Sequence, residues 1–204
     1  MGDDGRLDRR AAVLAAALEL FERVGYGNVA MSKIAASAGV AAGTIYTYFR
    51  SKEELANALY RECKLALAGE LLDVAPDDGG ARAEFGRVWR SLVTFAAAQP
   101  AALSFLENHR HDVYLDDESK ALSAAIDASA ADFVRRGQRS GEIRSGPPEA
   151  LVALVFGSFV GLLRAGHEGR LSVDSALLTE LESTVWGLLA PPGRPHDTPA
   201  GGGT

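Results

Sequence analysis

One cysteine, Cys63, in 204 residues excludes an intramolecular disulfide framework. No cleavable signal pattern opens the chain, so a reducing cytoplasm is the expected address. A lone cysteine there reads as a small buried hydrophobe. Long apolar runs are also missing. The longest, "ALVALVFGSFVGLL" at 150–163, has fourteen residues between Glu149 and Arg164, short of the roughly 20 that span a bilayer. It reads as a buried or interface helix, and no membrane partner is expected. Strand-like alternation of apolar and polar residues is almost absent. A phosphate-cradling glycine loop, a cysteine-rich zinc spacing and a nucleophile elbow are absent as well. That leaves the histidines and carboxylates near 109–116 as the only candidates for catalysis. Positive charge is in deficit: 21 Lys and Arg against 27 Asp and Glu, a net of −6, which on average repels a polyanion. The deficit is uneven, since residues 1–64 carry nine basic and eight acidic side chains (+1) and the remainder twelve and nineteen (−7). Only the N-terminal third would not repel a polyanion.

What is present is helical periodicity. Hydrophobic residues make up 47% of the chain, enough for a sizeable core. Leu7, Ala11, Leu14, Leu18 and Phe21 form one apolar stripe on a first helix that Gly25 ends. "SKIAASA" at 32–38 makes a short second helix with Ile34, Ala35 and Ala38 on one face, stopped by Gly39. A third runs from Ala42 to Phe49 or Arg50. "SKEE" then supplies Ser51 as N-cap with Glu54 three residues on, a capping box opening a long helix to about Val74. "APDDGG" at 75–80 is the clearest boundary. Beyond it, helices are expected at 81–98, 101–112, 117–140, 147–165 and 174–189, punctuated by Pro100, Gly141, Pro147, Pro148 and Pro191. The tail at 191–204 has no apolar period and is expected to be disordered. The expected fold is all-α with about nine helices. A three-helix helix-turn-helix head with its connecting helix occupies 1–74, and a larger helical body 75–190.

The third helix carries the chemistry. Two short helices joined by a glycine turn, after a longer supporting helix, form a helix-turn-helix pattern. Ile45 and Phe49, four apart, point inward. Thr44, Thr47 and Tyr48 occupy i, i+3 and i+4 on another face, with Tyr46 on its flank. A buried helix would not gather those hydroxyls. Gly43 removes a side chain where a partner's backbone would approach, and Thr and Tyr can bond phosphate oxygens while a threonine methyl can touch thymine. Lys52 lies in the first turn of the next helix, where a phosphate is already favoured.

Residues 31–55, "MSKIAASAGVAAGTIYTYFRSKEEL", closely resemble the DNA-binding signature of the TetR family of transcriptional regulators, in which I-A, A-G-V, G-T-I-Y, Y-F and S-K-E-E-L recur at this spacing. Weaker agreement runs from about Arg10 to Arg61. The resemblance implies that Ala42, Gly43, Thr44, Tyr46, Thr47 and Tyr48 face the major groove and its phosphate walls. It also implies that Lys52 holds a phosphate, and that Ser32 and Lys33 anchor the start of the preceding helix to the backbone. The chain departs from the family pattern at Ala30 and Ala41, where a Ser, Thr or similar cap is usual. Each loss removes an N-cap of about 1 kcal/mol.

For the body, the resemblance implies a small-molecule pocket and a homodimer. Gly157 and Gly161, four apart in the apolar run, leave one side of that helix narrow enough for close approach by another. With Leu178, Leu181, Val185 and Leu188 striping the last helix, a four-helix interface across a twofold axis is expected. Aromatic residues concentrate in the body and mostly serve its core. Trp89, Phe105, His109, Phe133 and Phe156 are the candidates for contact with an effector. His109, His111, Asp112 and Asp116 cluster in "FLENHRHDVYLDDES", but positions 109 and 111 point to different sides of a helix and do not readily share a metal ion. The expected function is a ligand-responsive repressor, released from a pseudo-palindromic operator by a small, largely apolar effector and needing no cofactor. The alternative is a helical-body enzyme or interaction module with an accessory or impaired head.

Overall fold

The computed structural model describes residues 4–72, 79–108 and 111–192. Residues 75–78 of the expected boundary, His109 and the tail from 193 lie outside them. The described residues contain helices and turns but no strand. The chain gathers into two compact units: Met1–Asp73 with Ser91–Ile126, and Val74–Arg90 with Asp127–Thr204. This grouping does not follow chain order, because the divisions fall inside two helices.

The first unit holds α1 (Asp4–Val24), a 3-10 turn (Tyr26–Asn28), α2 (Met31–Ser37), α3 (Ala42–Ile45) and α4 (Lys52–Leu72). It also takes the end of α5 (Gly80–Ala98), all of α6 (Pro100–Asn108), a second 3-10 turn (His111–Val113) and the start of α7 (Asp117–Ser140). Val13, Leu14, Ala17, Leu20 and Phe21 of α1 are buried with Ile34, Ile45, Phe49, Leu55 and Phe105. Phe21 stacks on Phe105 with centroids 6.1 Å apart. The apolar stripe on α1 is covered only from Val13 onward. Leu7 is 59% exposed and Ala11 is exposed too, so the first turns of α1 project past its packing partners.

Gly25 (φ +80°) and Gly39 (φ +68°) end α1 and α2 in the left-handed region that glycine adopts without strain. Ala30 and Ala41 precede α2 and α3 without any side-chain cap. The Glu54 N–H donates to Ser51 Oγ at 3.1 Å, as a capping box requires, but the Glu54 carboxylate accepts from the Arg50 N–H at 2.7 Å, one residue earlier than usual. The third helix is shorter than expected. After Ile45 the chain tightens, with Thr47 N–H donating to Thr44 O at 3.0 Å and Tyr48 N–H to Ile45 O at 3.1 Å. Such i→i+3 closure is common where a helix ends.

Cys63 is buried on α4. Burial, assisted by Glu62, pushes its thiol up to about 12, so the reactive thiolate is scarce near neutrality. Iodoacetamide at pH 8 is expected to leave Cys63 unlabelled in the native protein and to label it fully in denaturant, as intact-mass spectrometry would show.

The second unit holds the start of α5, the rest of α7, α8 (Pro148–His167), α9 (Ser175–Glu180) and α10 (Glu182–Trp186). Trp89 is its centre: the ring meets Phe159 edge-on at 5.3 Å, and Nε1–H donates to Leu178 O at 2.7 Å. Arg82 pairs with Glu182 through both terminal guanidinium nitrogens, Nη1 and Nη2. Glu142 accepts the Ala81 N–H at 2.9 Å and so caps the start of α5. The single helix expected over 174–189 is two, separated at Leu181 (φ −74°, ψ −8°). Asp174 caps the first of them through the Leu177 N–H at 2.8 Å.

Candidate DNA interface and the helical body

The short α3 segment has the two faces its sequence predicts. Ile45 is fully buried and Phe49 nearly so. Ala42, Gly43, Tyr46 and Thr47 are exposed, while Thr44 and Tyr48 are half-buried. Ser32 and Lys33 stand exposed at the start of α2. Gly43 has no positive φ, and a Cβ built on it meets nothing within 4 Å. Among the described residues nothing requires the missing side chain there, and a helical glycine costs roughly 0.5–1 kcal/mol relative to alanine. Gly43→Ala is expected to raise the stability of the free protein by about that amount while weakening its hold on DNA. Denaturant melts and operator titrations would show the two shifts in opposite directions.

Lys52 does more inside the protein than its sequence position suggests. Its ammonium donates to Tyr26 O at 3.0 Å and Val29 O at 3.1 Å and lies 4.3 Å from the centre of the Tyr26 ring. Two of its three protons tie α4 to the segment that leads into α2, leaving one for a phosphate. Lys52→Ala is expected to lower stability by on the order of 1–3 kcal/mol, because these are charged hydrogen bonds. DNA affinity should fall with it. Thermal denaturation and binding measured on the same preparation check the linkage.

Tyr26 and Asn57 went unread in the sequence, one hidden in a polar turn after a glycine and the other alone in an apolar helix. The Tyr26 hydroxyl donates to Glu53 at 3.1 Å, and its ring lies 4.4 Å from that of Tyr114. Burial first, then the Glu53 carboxylate, pushes the phenol up to about 12. Asn57, 3% exposed, donates to Tyr114 O at 2.8 Å and accepts from the Asp116 N–H at 2.9 Å. These bonds hold the turn before α7 against α4.

The candidate ligand residues fall in both units. Phe105 is core in the first unit, while Trp89, Phe133 and Phe156 belong to the second, Trp89 buried and the other two half-buried. His109 lies outside the described residues. Its neighbour His111 is committed to the protein. Nε2 faces the carbonyls of Phe105 and Leu106 at 2.9 and 3.1 Å, and Nδ1 faces the Tyr114 hydroxyl. Asp116 pairs with Arg61. No group of three potential metal ligands exists among the described residues.

The dimer candidates divide as well. Gly157 and Gly161 are exposed, with nothing within 4 Å of an added Cβ. Leu178 and Val185, by contrast, are buried inside the second unit, with Leu181 half-buried. The twenty residues of α8 are long and apolar enough to cross a membrane by length and composition, with a mean hydropathy of 1.6, yet only 11% of that stretch is buried. This helix extends past the fourteen-residue apolar run that suggested otherwise.

Residues 13–59 match the family described as bacterial regulatory proteins, tetR family, and residues 60–190 match the tetracyclin repressor-like C-terminal domain. The chain belongs to the TetR family. It is 29% identical to the transcriptional regulator TtgR of Pseudomonas putida over 172 residues, covering 77% of this chain and 79% of that protein. It is 46% identical to the fatty acid metabolism regulator protein of Bacillus subtilis over 50 residues, 24% of this chain and 26% of that protein. That match and another to a Bacillus subtilis regulator span only 26% and 28% of those relatives. In fold, the chain is similar to a TetR family transcription regulator from Marinobacter aquaeolei VT8, with a TM-score of 0.81 at 22% identity over 92% of this chain and 98% of that one. The second family match covers the whole of α8, which assigns that helix to the C-terminal domain of a TetR protein.

Proposed function

We propose that this TetR protein is a homodimeric repressor. It holds a pseudo-palindromic operator with one α3 segment in each half-site, and lets go when a small, largely apolar compound binds the helical body. The observation that carries the reading is the α3 segment itself. Its apolar side is spent on the core, and its exposed side offers hydroxyls around a glycine that nothing in the subunit requires. One such element binds DNA weakly. Two, spaced by about 34–36 Å along the duplex, reach successive major grooves. The open face of α8 around Gly157 and Gly161 supports the pairing of two chains.

Charge supports the orientation. The −7 carried by residues 65–204 repels phosphate, so only the near-neutral head can approach DNA. An effector that binds better to a conformation with the heads misplaced shifts the population away from the DNA-competent state. The linear division into a head at 1–74, an effector and dimerisation body at 75–190 and a tail at 191–204 belongs to this proposal, as does a place in the cytoplasm. The Bacillus subtilis fatty acid regulator matches too little of the chain to carry an effector class across, so the screen is built from the body's aromatic content. Sedimentation of the protein with its selected duplex tests the reading. Two chains per duplex, dissociated by at least one aromatic or aliphatic compound, is the expected result, and one chain per duplex contradicts it.

A further inference from the structure

Thr47 stands exposed on the turn that closes α3, and its hydroxyl is already occupied. Oγ1 donates to the Thr44 carbonyl at 2.7 Å, and the same carbonyl accepts the Thr47 N–H at 3.0 Å. A threonine hydroxyl has one proton and two lone pairs. With that proton given to the helix, an outside partner meets lone pairs only. A phosphate oxygen, itself an acceptor, gains nothing from them. Two heavy atoms on Cβ make the side chain stiff about χ1, so the rotamer that satisfies Thr44 fixes the γ-methyl as well. Toward phosphates and toward bases without an amino donor, that methyl is the chemistry left. In the major groove its counterpart is the C5-methyl of thymine.

Resting on the DNA-binding reading above, we propose that Thr47 determines specificity by seating its γ-methyl against a thymine methyl in each half-site, its hydroxyl serving to hold the rotamer. Phosphate contact then falls to neighbours such as Tyr46, 55% exposed.

The test uses the full-length protein to enrich duplexes from a random pool, after which each thymine in the enriched site is replaced in turn by deoxyuridine, which removes only the methyl. One thymine per half-site is expected to lose about fourfold in affinity on replacement, the value of one buried methyl-sized group. Thr47→Val, which keeps a γ-methyl on a β-branched side chain and loses the hydroxyl, is expected to retain the thymine dependence and to bind more tightly than Thr47→Ser. Thr47→Ser, which keeps the hydroxyl and loses the methyl, is expected to bind the thymine and deoxyuridine duplexes alike, at the weaker level. If Val weakens binding as much as Ser, or if the wild type ignores every replacement, the inference is overturned while DNA binding stands. If the wild type enriches no sequence, the DNA-binding reading is overturned and this inference with it.

Discussion

Leucine at both 157 and 161 is expected to leave the protein monomeric and to lower its operator affinity by at least about a hundredfold, the loss that follows when two linked contacts become one. α8 has an apolar stretch of mean hydropathy 1.6, yet only 11% of that stretch is buried. Leu154, one turn before Gly157, is 55% exposed. Exposed apolar faces of this kind mark interaction sites. Glycine in mid-helix costs roughly 1 kcal/mol relative to alanine, and neither glycine has a neighbour among the described residues that an added Cβ would strike. The missing side chains would serve a partner helix packed on that face, since helix axes 8–10 Å apart need small residues at the crossing. Gly157→Leu and Gly161→Leu leave the interior of each chain alone, so helical content should persist while sedimentation shows a monomer. A double variant that remains dimeric and binds DNA normally would place the subunit contact elsewhere.

The second large effect belongs to Tyr46. Its side chain is 55% exposed, and its hydroxyl has no hydrogen-bond partner among the described residues. Tyr46→Ala is expected to weaken operator binding by on the order of 1–3 kcal/mol. The melting curve should stay nearly unchanged, since exposed positions without internal partners usually shift stability by no more than about 0.5 kcal/mol. Tyr46→Phe separates the ring from the hydroxyl: loss in both variants assigns the contact to the O–H, and loss only in Ala assigns it to the ring. Titration of the three proteins against one duplex at fixed salt decides between them. A wild-type affinity in Tyr46→Ala would remove this residue from the interface.

Local signals in the sequence located most of the helices. Gly25 and Gly39 stop their helices because each occupies a left-handed position, and Ser51 opens α4 through the bond to Glu54. The expected helix at 117–140 coincides with α7. Ile45 and Phe49 were readable as the inner side of α3 because their period of four is local. What stayed hidden depends on partners distant in the chain. The stripe of Leu178 and Val185 announced an apolar face, but periodicity does not say what covers it, and both side chains are buried within the second unit, where Trp89, eighty-nine residues before Leu178, donates to the Leu178 carbonyl. From the sequence, Lys52 is expected in the first turn of α4, facing a phosphate. Only the fold brings the carbonyls of Tyr26 and Val29 to it. The early close of α3 involves i→i+3 bonds that a 3.6-residue period does not anticipate.

The central claim is that the exposed side of α3 binds a specific duplex. Fluorescence anisotropy of the purified protein with the intergenic DNA beside its own gene, at two salt concentrations and with random duplex as competitor, tests it most directly. Binding that weakens as salt rises, because counterions are released from phosphates, and that survives the competitor is the predicted result. Affinity for that DNA no greater than for random duplex, at both salt concentrations, would contradict it.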